Sequence, residues 1–210
     1  MPAPRRALIV VDVQQEYEIG PLQIQYPPRD ESVANTVTAI NAAQAAGLPI
    51  VIVSHTFPEQ APVFATGSKS WQLQPAIAAA APDDAKYVEK NFASTFAGTD
   101  VAQWLAERSV DTITIVGFMT NNCDLATAVE AEGLGLSAEI LSDASGAIHL
   151  ANEAGSVTAE QLHTTLMVLL QSNFAAVATT ADWLAALEAG EALTKNNLVS
   201  SALEGRGAAV

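Results

Sequence analysis

Six short apolar runs, rich in β-branched residues, alternate with Ala-rich helical stretches, and this alternation constrains the fold more than any other feature of the chain. The strand candidates are ALIVVDV (7–13), PIVIVSHT (49–56), AKYVEK (85–90), DTITIVGF (111–118), SAEILSD (137–143) and FAAVATT (174–180). Helical patterns fall near 30–46, 99–108, 122–133, 158–172 and 180–189. Most of the strands are apolar on both faces, as in a parallel sheet covered by helices on each side. Strand alternating with helix implies repeated βαβ units with right-handed crossovers. The expected fold class is α/β, a three-layer α/β/α sandwich around a six-stranded parallel sheet. Ser32 and Thr180 are expected helix caps. Thr158 and Gln161 fit a capping box, and Gly47 with Pro49 closes the first long helix.

A chain of 210 residues, half of them hydrophobic, suits one domain over 1–210, with its core at about 5–190 and a tail at 194–210 that frays or docks on a partner subunit. No apolar run approaches the length of a membrane span. Arg5 and Arg6 precede an apolar stretch, but Asp12 ends it and no small-residue cleavage site follows. The single cysteine, Cys123, rules out an intrachain disulfide framework, so cytoplasmic residence is expected. The net charge of −14 repels phosphate backbones and argues against nucleic acid as a partner. Segment 56–84 shows little periodicity and reads as a long functional loop.

Common cofactor and catalytic motifs are missing. The turns after the first and fourth strands, VVDVQQEYEIG and FMTNNC, lack the repeated glycines of a dinucleotide site. There is neither a GxxxxGK[ST] loop nor a GxSxG elbow. His55, His149 and His163 do not have zinc-motif spacing, and His163 reads as a surface or core residue of a helix, not a ligand.

What remains is a set of reactive residues at strand ends. In open α/β sheets the active site lies beyond the C-terminal strand ends, where the strand order reverses. Asp12 closes the first strand, Lys90 closes the third, and Cys123 follows the fourth at a helix start. With the order 3-2-1-4-5-6, Asp12 and Cys123 face each other across the crevice and Lys90 reaches in from the side. A thiolate is the nucleophile such a site needs, and a helix N-terminus and an ammonium both favour it. Asp12 can take the thiol proton and return it to a leaving amine. His55, at the end of the second strand, faces the same rim. Gln14 and Tyr17 are candidate pocket residues, and Phe57, Phe64 and Trp71 are candidate walls.

The segments ALIVVDVQQEY, KNFASTF, GFMTNNCDLATAVEAEGLG and SDASGA occur in an order that resembles the isochorismatase-like cysteine hydrolases, a superfamily that includes nicotinamidases and N-carbamoylsarcosine amidases. The likeness spans residues 7 to about 146 and extends more weakly to about 190. It implies an Asp12–Lys90–Cys123 triad. It also implies a cis peptide at Phe118–Met119 and an oxyanion hole made by the backbone N–H groups of Met119 and Cys123. Nicotinamidase-like members hold a metal through an aspartate and two histidines after strand two. Here that region has only His55, so a metal-free and cofactor-free site is expected. Asp124 stands where the family more often has an apolar residue. Facing the helix start, its charge would oppose a thiolate; facing outward, it would only complement the helix dipole.

The expected function is hydrolysis of a carbon–nitrogen bond (amide, carbamoyl or lactam) in a small molecule through a thioester, by a homo-oligomer, either dimer or tetramer. Two alternatives stand beside it: an isochorismatase-type ether or ester hydrolase, and a non-catalytic binding or redox-sensing module on the same scaffold.

Overall fold

The structure, a computed structural model, describes residues 3–208. Its strands are β1 (Arg6–Val11), β2 (Ile50–His55), β3 (Lys86–Lys90), β4 (Thr112–Phe118), β5 (Ser137–Gly146), β6 (Leu150–Asn152), β7 (Gly155–Val157) and β8 (Ala175–Ala178). Six of them form one parallel sheet in the order β3-β2-β1-β4-β5-β8. This is the expected topology, with its last strand numbered eighth because the antiparallel β6–β7 hairpin intervenes.

The helices are α1 (Glu16–Ile19), α2 (Arg29–Ala45), α3 (Pro75–Ala80), α4 (Val101–Glu107), α5 (Leu125–Gly133), α6 (Ala159–Leu169), α7 (Thr180–Ala189) and α8 (Leu198–Ala208). Wide π-helical turns at Thr120–Asp124 and Leu170–Phe174 lead into α5 and out of α6. Among the described residues no helix is long and apolar enough to cross a membrane.

The alternation of side chains along a strand builds two cores from one sheet. Ala7, Ile9 and Val11 of β1 pack with Val101 and Leu105 of α4 and Ala128 of α5. Leu8 and Val10 point the other way, to Ile40 of α2, Ile77 of α3 and Trp183 of α7. Burial on both faces is why residues 7–11 of β1 read as an unbroken apolar run.

Two cap expectations are corrected. The first long helix starts at Arg29, so Ser32 lies inside it, and its hydroxyl donates to Ser145 O at 3.1 Å instead of capping. Thr179, not Thr180, caps α7, accepting from Asp182 N; the Thr180 hydroxyl donates to Asp143 Oδ1 at 2.7 Å. The capping box at Thr158 and Gln161 is present on α6. Gly47 follows the end of α2 with φ 68°, the left-handed conformation that suits glycine. The 56–84 excursion contains α3 but is otherwise irregular.

At the far end of the sheet, the Arg6 guanidinium forms a buried pair with Glu139 at 2.9 Å. Thr114 Oγ1 donates to Glu139 at 2.7 Å and accepts from Trp183 Nε1 at 3.0 Å. This network ties β1, β4, β5 and α7 together.

Candidate active site

Three adjacent strands and the turn after β4 deliver the reactive residues. The backbone leaves β1 at Asp12 with φ 49°, a left-handed conformation that aspartate tolerates better than most residues. Asp12 N–H still donates to Val53 O at 3.0 Å, which ties the turn to β2. Across the sheet Val11 pairs with Gly117, whose φ is 117°; a Cβ there would lie 2.1 Å from Val11 O. Only glycine permits that approach, which sets the separation between Asp12 and the turn carrying Cys123. The Phe118–Met119 peptide is cis, as is Tyr26–Pro27.

Lys90 Nζ is the centre of the cluster. It lies 2.6 Å from Asp12 Oδ2, 3.0 Å from His55 Nδ1, 3.1 Å from Phe92 O and 3.3 Å from Cys123 Sγ. The Asp12 and Lys90 side chains are completely buried. Asp12 Oδ1, by contrast, has no hydrogen-bond partner. An oxygen of Asp12, a ring nitrogen of His55 and Cys123 Sγ all lie within 4.8 Å of one another. These are metal-ligand atoms, but the Lys90 ammonium already occupies the point on which they converge, so a cation there would have to displace it.

Burial, reinforced by the Asp12 charge, pushes the Cys123 thiol well up, and Lys90 opposes this only in part. Cys123 therefore rests as a thiol. Asp124 is also fully buried: desolvation, and then the Asp12 charge, raise it to about 8. Ser145 and Lys90 act in the opposite direction. Ser145 Oγ and both Asp124 oxygens nevertheless complete no hydrogen bond. Of the two sequence-based alternatives for Asp124, the inward one holds: it is buried and its charge raises the Cys123 thiol, though burial lifts its own carboxyl to about 8 and so keeps that charge low at neutral pH.

The turn before Cys123 is held from both sides. Asn122 N–H and Asp124 N–H both donate to Met119 O, at 3.0 and 3.2 Å. Thr120 Oγ1 lies 3.0 Å from His163 Nδ1. Burial pulls His163 down to about 4, so its ring is neutral and serves as a prop, packed edge-on against Tyr26.

A cavity of about 540 Å³ opens above Cys123. Tyr17, Phe57, Phe64 and Met119 line it, together with His55, whose ring packs on Phe57 and Phe64 at 4.7 and 4.9 Å. Gln14 and Trp71 do not line it. The Gln14 amide is committed to backbone: Nε2 donates to His55 O and Trp71 O at 3.0 and 2.6 Å, and Oε1 accepts from His55 N at 2.8 Å. It straps His55 in place. Trp71 Nε1 donates to Thr56 Oγ1 at 3.0 Å, and the ring faces a separate cleft of about 590 Å³ that includes none of Asp12, Lys90 and Cys123. Ile148 and Leu150, next to and within the β6–β7 hairpin, also line it, as do Asn91, Asn121 and Asn122, and Leu22, Val63 and Ala93 complete the wall. Sequence reasoning missed these eight. Asn91 directly follows Lys90, and Asn121 and Asn122 directly precede Cys123, so adjacency was the available signal.

Residues 6–182 match the family described as the isochorismatase domain. A Burkholderia xenovorans LB400 protein, provisionally named an isochorismatase, is 47% identical; its crystal structure superposes with a TM-score of 0.94 over 97% of each chain. A cysteine hydrolase from Pseudomonas syringae pv. phaseolicola 1448A is 25% identical, with a TM-score of 0.79 over 89% of this chain and 93% of that one. The secreted isochorismatase effector Isc1 of Verticillium dahliae is 29% identical over 66% of this chain and 71% of its own length.

Proposed function

This chain belongs to the isochorismatase family of hydrolases, and from that premise we propose that it cleaves a carbon–nitrogen bond of a small amide, carbamoyl compound or lactam through a thioester on Cys123. The observation that carries this reading is the divided role of the Asp12 carboxylate. One oxygen is held by Lys90 at 2.6 Å and the other is buried without a partner, in a carboxylate that has an oxygen within 4.8 Å of Cys123 Sγ. A buried carboxylate oxygen left open next to a protonated thiol is a general base awaiting its proton.

The course follows from these positions. As Sγ attacks the carbonyl carbon, its proton passes to Asp12 Oδ1. The carbonyl oxygen gains charge and is met by the N–H groups of Met119 and Cys123. The tetrahedral adduct collapses, the C–N bond breaks, and the amine leaves with the proton from Asp12. Water then gives a proton to Asp12 and its oxygen to the thioester carbon. Collapse releases the carboxylic acid, and the sulfur recovers its proton from Asp12. Lys90 keeps Asp12 oriented throughout, and its ammonium, 3.3 Å from Sγ, favours the sulfur's developing negative charge. The proton moves within the site, so a thiol with a raised pKa is no obstacle.

The test is ammonia release across a panel of small amides. Wild type turns over at least one member, and Cys123→Ala abolishes that turnover while circular dichroism shows an intact fold. Turnover retained by Cys123→Ala contradicts the proposal.

A further inference from the structure

The cavity wall contains no charged side chain among the described residues. Asp12 and Lys90 sit behind it, screened by Cys123 and His55. The wall is aromatic and aliphatic, interrupted by the Asn91, Asn121 and Asn122 amides and by the His55 imidazole. Tyr17 adds no charge: burial, with Asp12 behind it, pushes its phenol well up. None of the chain's other cations lines this cavity. Arg5, Arg6, Arg29 and Lys86 pair with Asp111, Glu139, Glu18 and Asp100, and Arg108 lies over the Trp104 ring at 3.9 Å. Lys90 is already shared among four acceptors. The Lys90 ammonium can only donate, so His55 Nδ1, 3.0 Å away, is the accepting atom of that pair.

We infer that the acyl part of the substrate is uncharged and apolar, an aromatic or branched aliphatic group seated among Tyr17, Phe57, Phe64, Ile148 and Leu150, and that carboxylate-bearing analogues are rejected. The inference deepens the hydrolase reading above and rests on it. A carboxylate in this cavity would lose its water without gaining a cation, and it would lie near the buried charge of Asp12. At about 540 Å³ the cavity falls within the usual small-molecule range of roughly 300–1,000 Å³.

Two measurements separate this inference from the nucleophile assignment. The first is binding to the Cys123→Ala variant, which has no reactive sulfur, using phenylacetamide and its 4-carboxylate in saturation-transfer NMR titrations. The neutral amide is expected to bind at least about tenfold more tightly. Equal affinities, tighter binding of the carboxylate, or no binding of phenylacetamide overturns the inference, whatever Cys123 does. The second is alkylation of wild type by N-benzylchloroacetamide and by its 4-carboxylate, read by intact mass on the chain's one cysteine. Glutathione supplies the probes' intrinsic rate ratio. A neutral preference at least about tenfold beyond the glutathione ratio supports the inference, and a ratio equal to that of glutathione counts against it. A thiol that resists both probes, with the binding preference intact, refutes the nucleophile assignment alone. Leu150, 38% exposed at the cavity mouth, tolerates a longer side chain. Leu150→Arg is expected to erase or reverse the preference for the neutral amide, and an unchanged preference in that variant argues against the inference.

Discussion

Replacing Asp124 with asparagine should stabilise the protein at neutral pH, and the advantage should be lost in acid. In the native state the Asp124 carboxyl titrates at about 8, raised by burial from 3.8. Unfolded, it titrates at the ordinary value. Between those limits the folded chain holds one more proton than the unfolded chain, so its stability falls as pH rises. The loss is about 1.36 kcal/mol per pH unit, on the order of 5 kcal/mol across the window, and it levels off above the folded-state value. An asparagine side chain does not titrate, so the Asp124→Asn variant lacks this component. Urea melts of both proteins at about pH 5.5 and about pH 7.5 isolate it, because other titrations cancel in the difference. The stability of Asp124→Asn relative to wild type should rise by about 2–3 kcal/mol between the two conditions. Parallel curves for the two proteins would refute the reasoning and mean that Asp124 is ionised in the fold. The same logic applies to catalysis: ionisation of Asp124 at about 8 adds a negative charge next to Cys123, so wild-type kcat/KM falls above that pH while the variant holds its rate.

Other substitutions probe the rest of the site. Asp12→Asn removes the proton acceptor, and kcat should fall by roughly 10²–10⁴-fold in steady-state assays of ammonia release, with the far-ultraviolet spectrum unchanged. Lys90→Met leaves the buried Asp12 uncompensated and should cost about 3–5 kcal/mol in a denaturant melt; adding Asp12→Asn to it should recover part of that loss, and strict additivity would argue against the pair. Gly117→Ala drives a methyl group into Val11 O, so a melt should show a loss of at least about 2 kcal/mol, and any folded fraction should have a displaced turn and low activity.

Strand ends were legible in the sequence because apolar runs end where the sheet ends. That was enough to bring Asp12, Lys90 and Cys123 together once the strand order was set. Helix starts were less legible. Ser32 and Thr180 are good caps chemically, but partners on β5 take both hydroxyls, and no local pattern reports that. The burial of Asp124 follows from the π-helical turn at Thr120–Asp124, whose wide pitch turns two consecutive residues, Cys123 and Asp124, inward. An ordinary helical phase would not suggest it. Gln14 and Trp71 were misread because their directions depend on the path of the irregular 56–84 segment, which sets its side chains by tertiary contact. Ile148 and Leu150 escaped notice because the strands of the β6–β7 hairpin are only three residues long and largely exposed, too short for an alternation to mark them.

The central claim is that Cys123 carries the acyl group. The most direct measurement mixes the enzyme with 4-nitrophenyl phenylacetate, follows nitrophenolate release, and maps the quenched protein by mass spectrometry. The account predicts a burst equivalent to the enzyme concentration and a phenylacetyl group on the Cys123 peptide, with both lost in Cys123→Ala. A burst of the same size in Cys123→Ala, or steady hydrolysis by wild type with no acyl group ever found on Cys123, would contradict it.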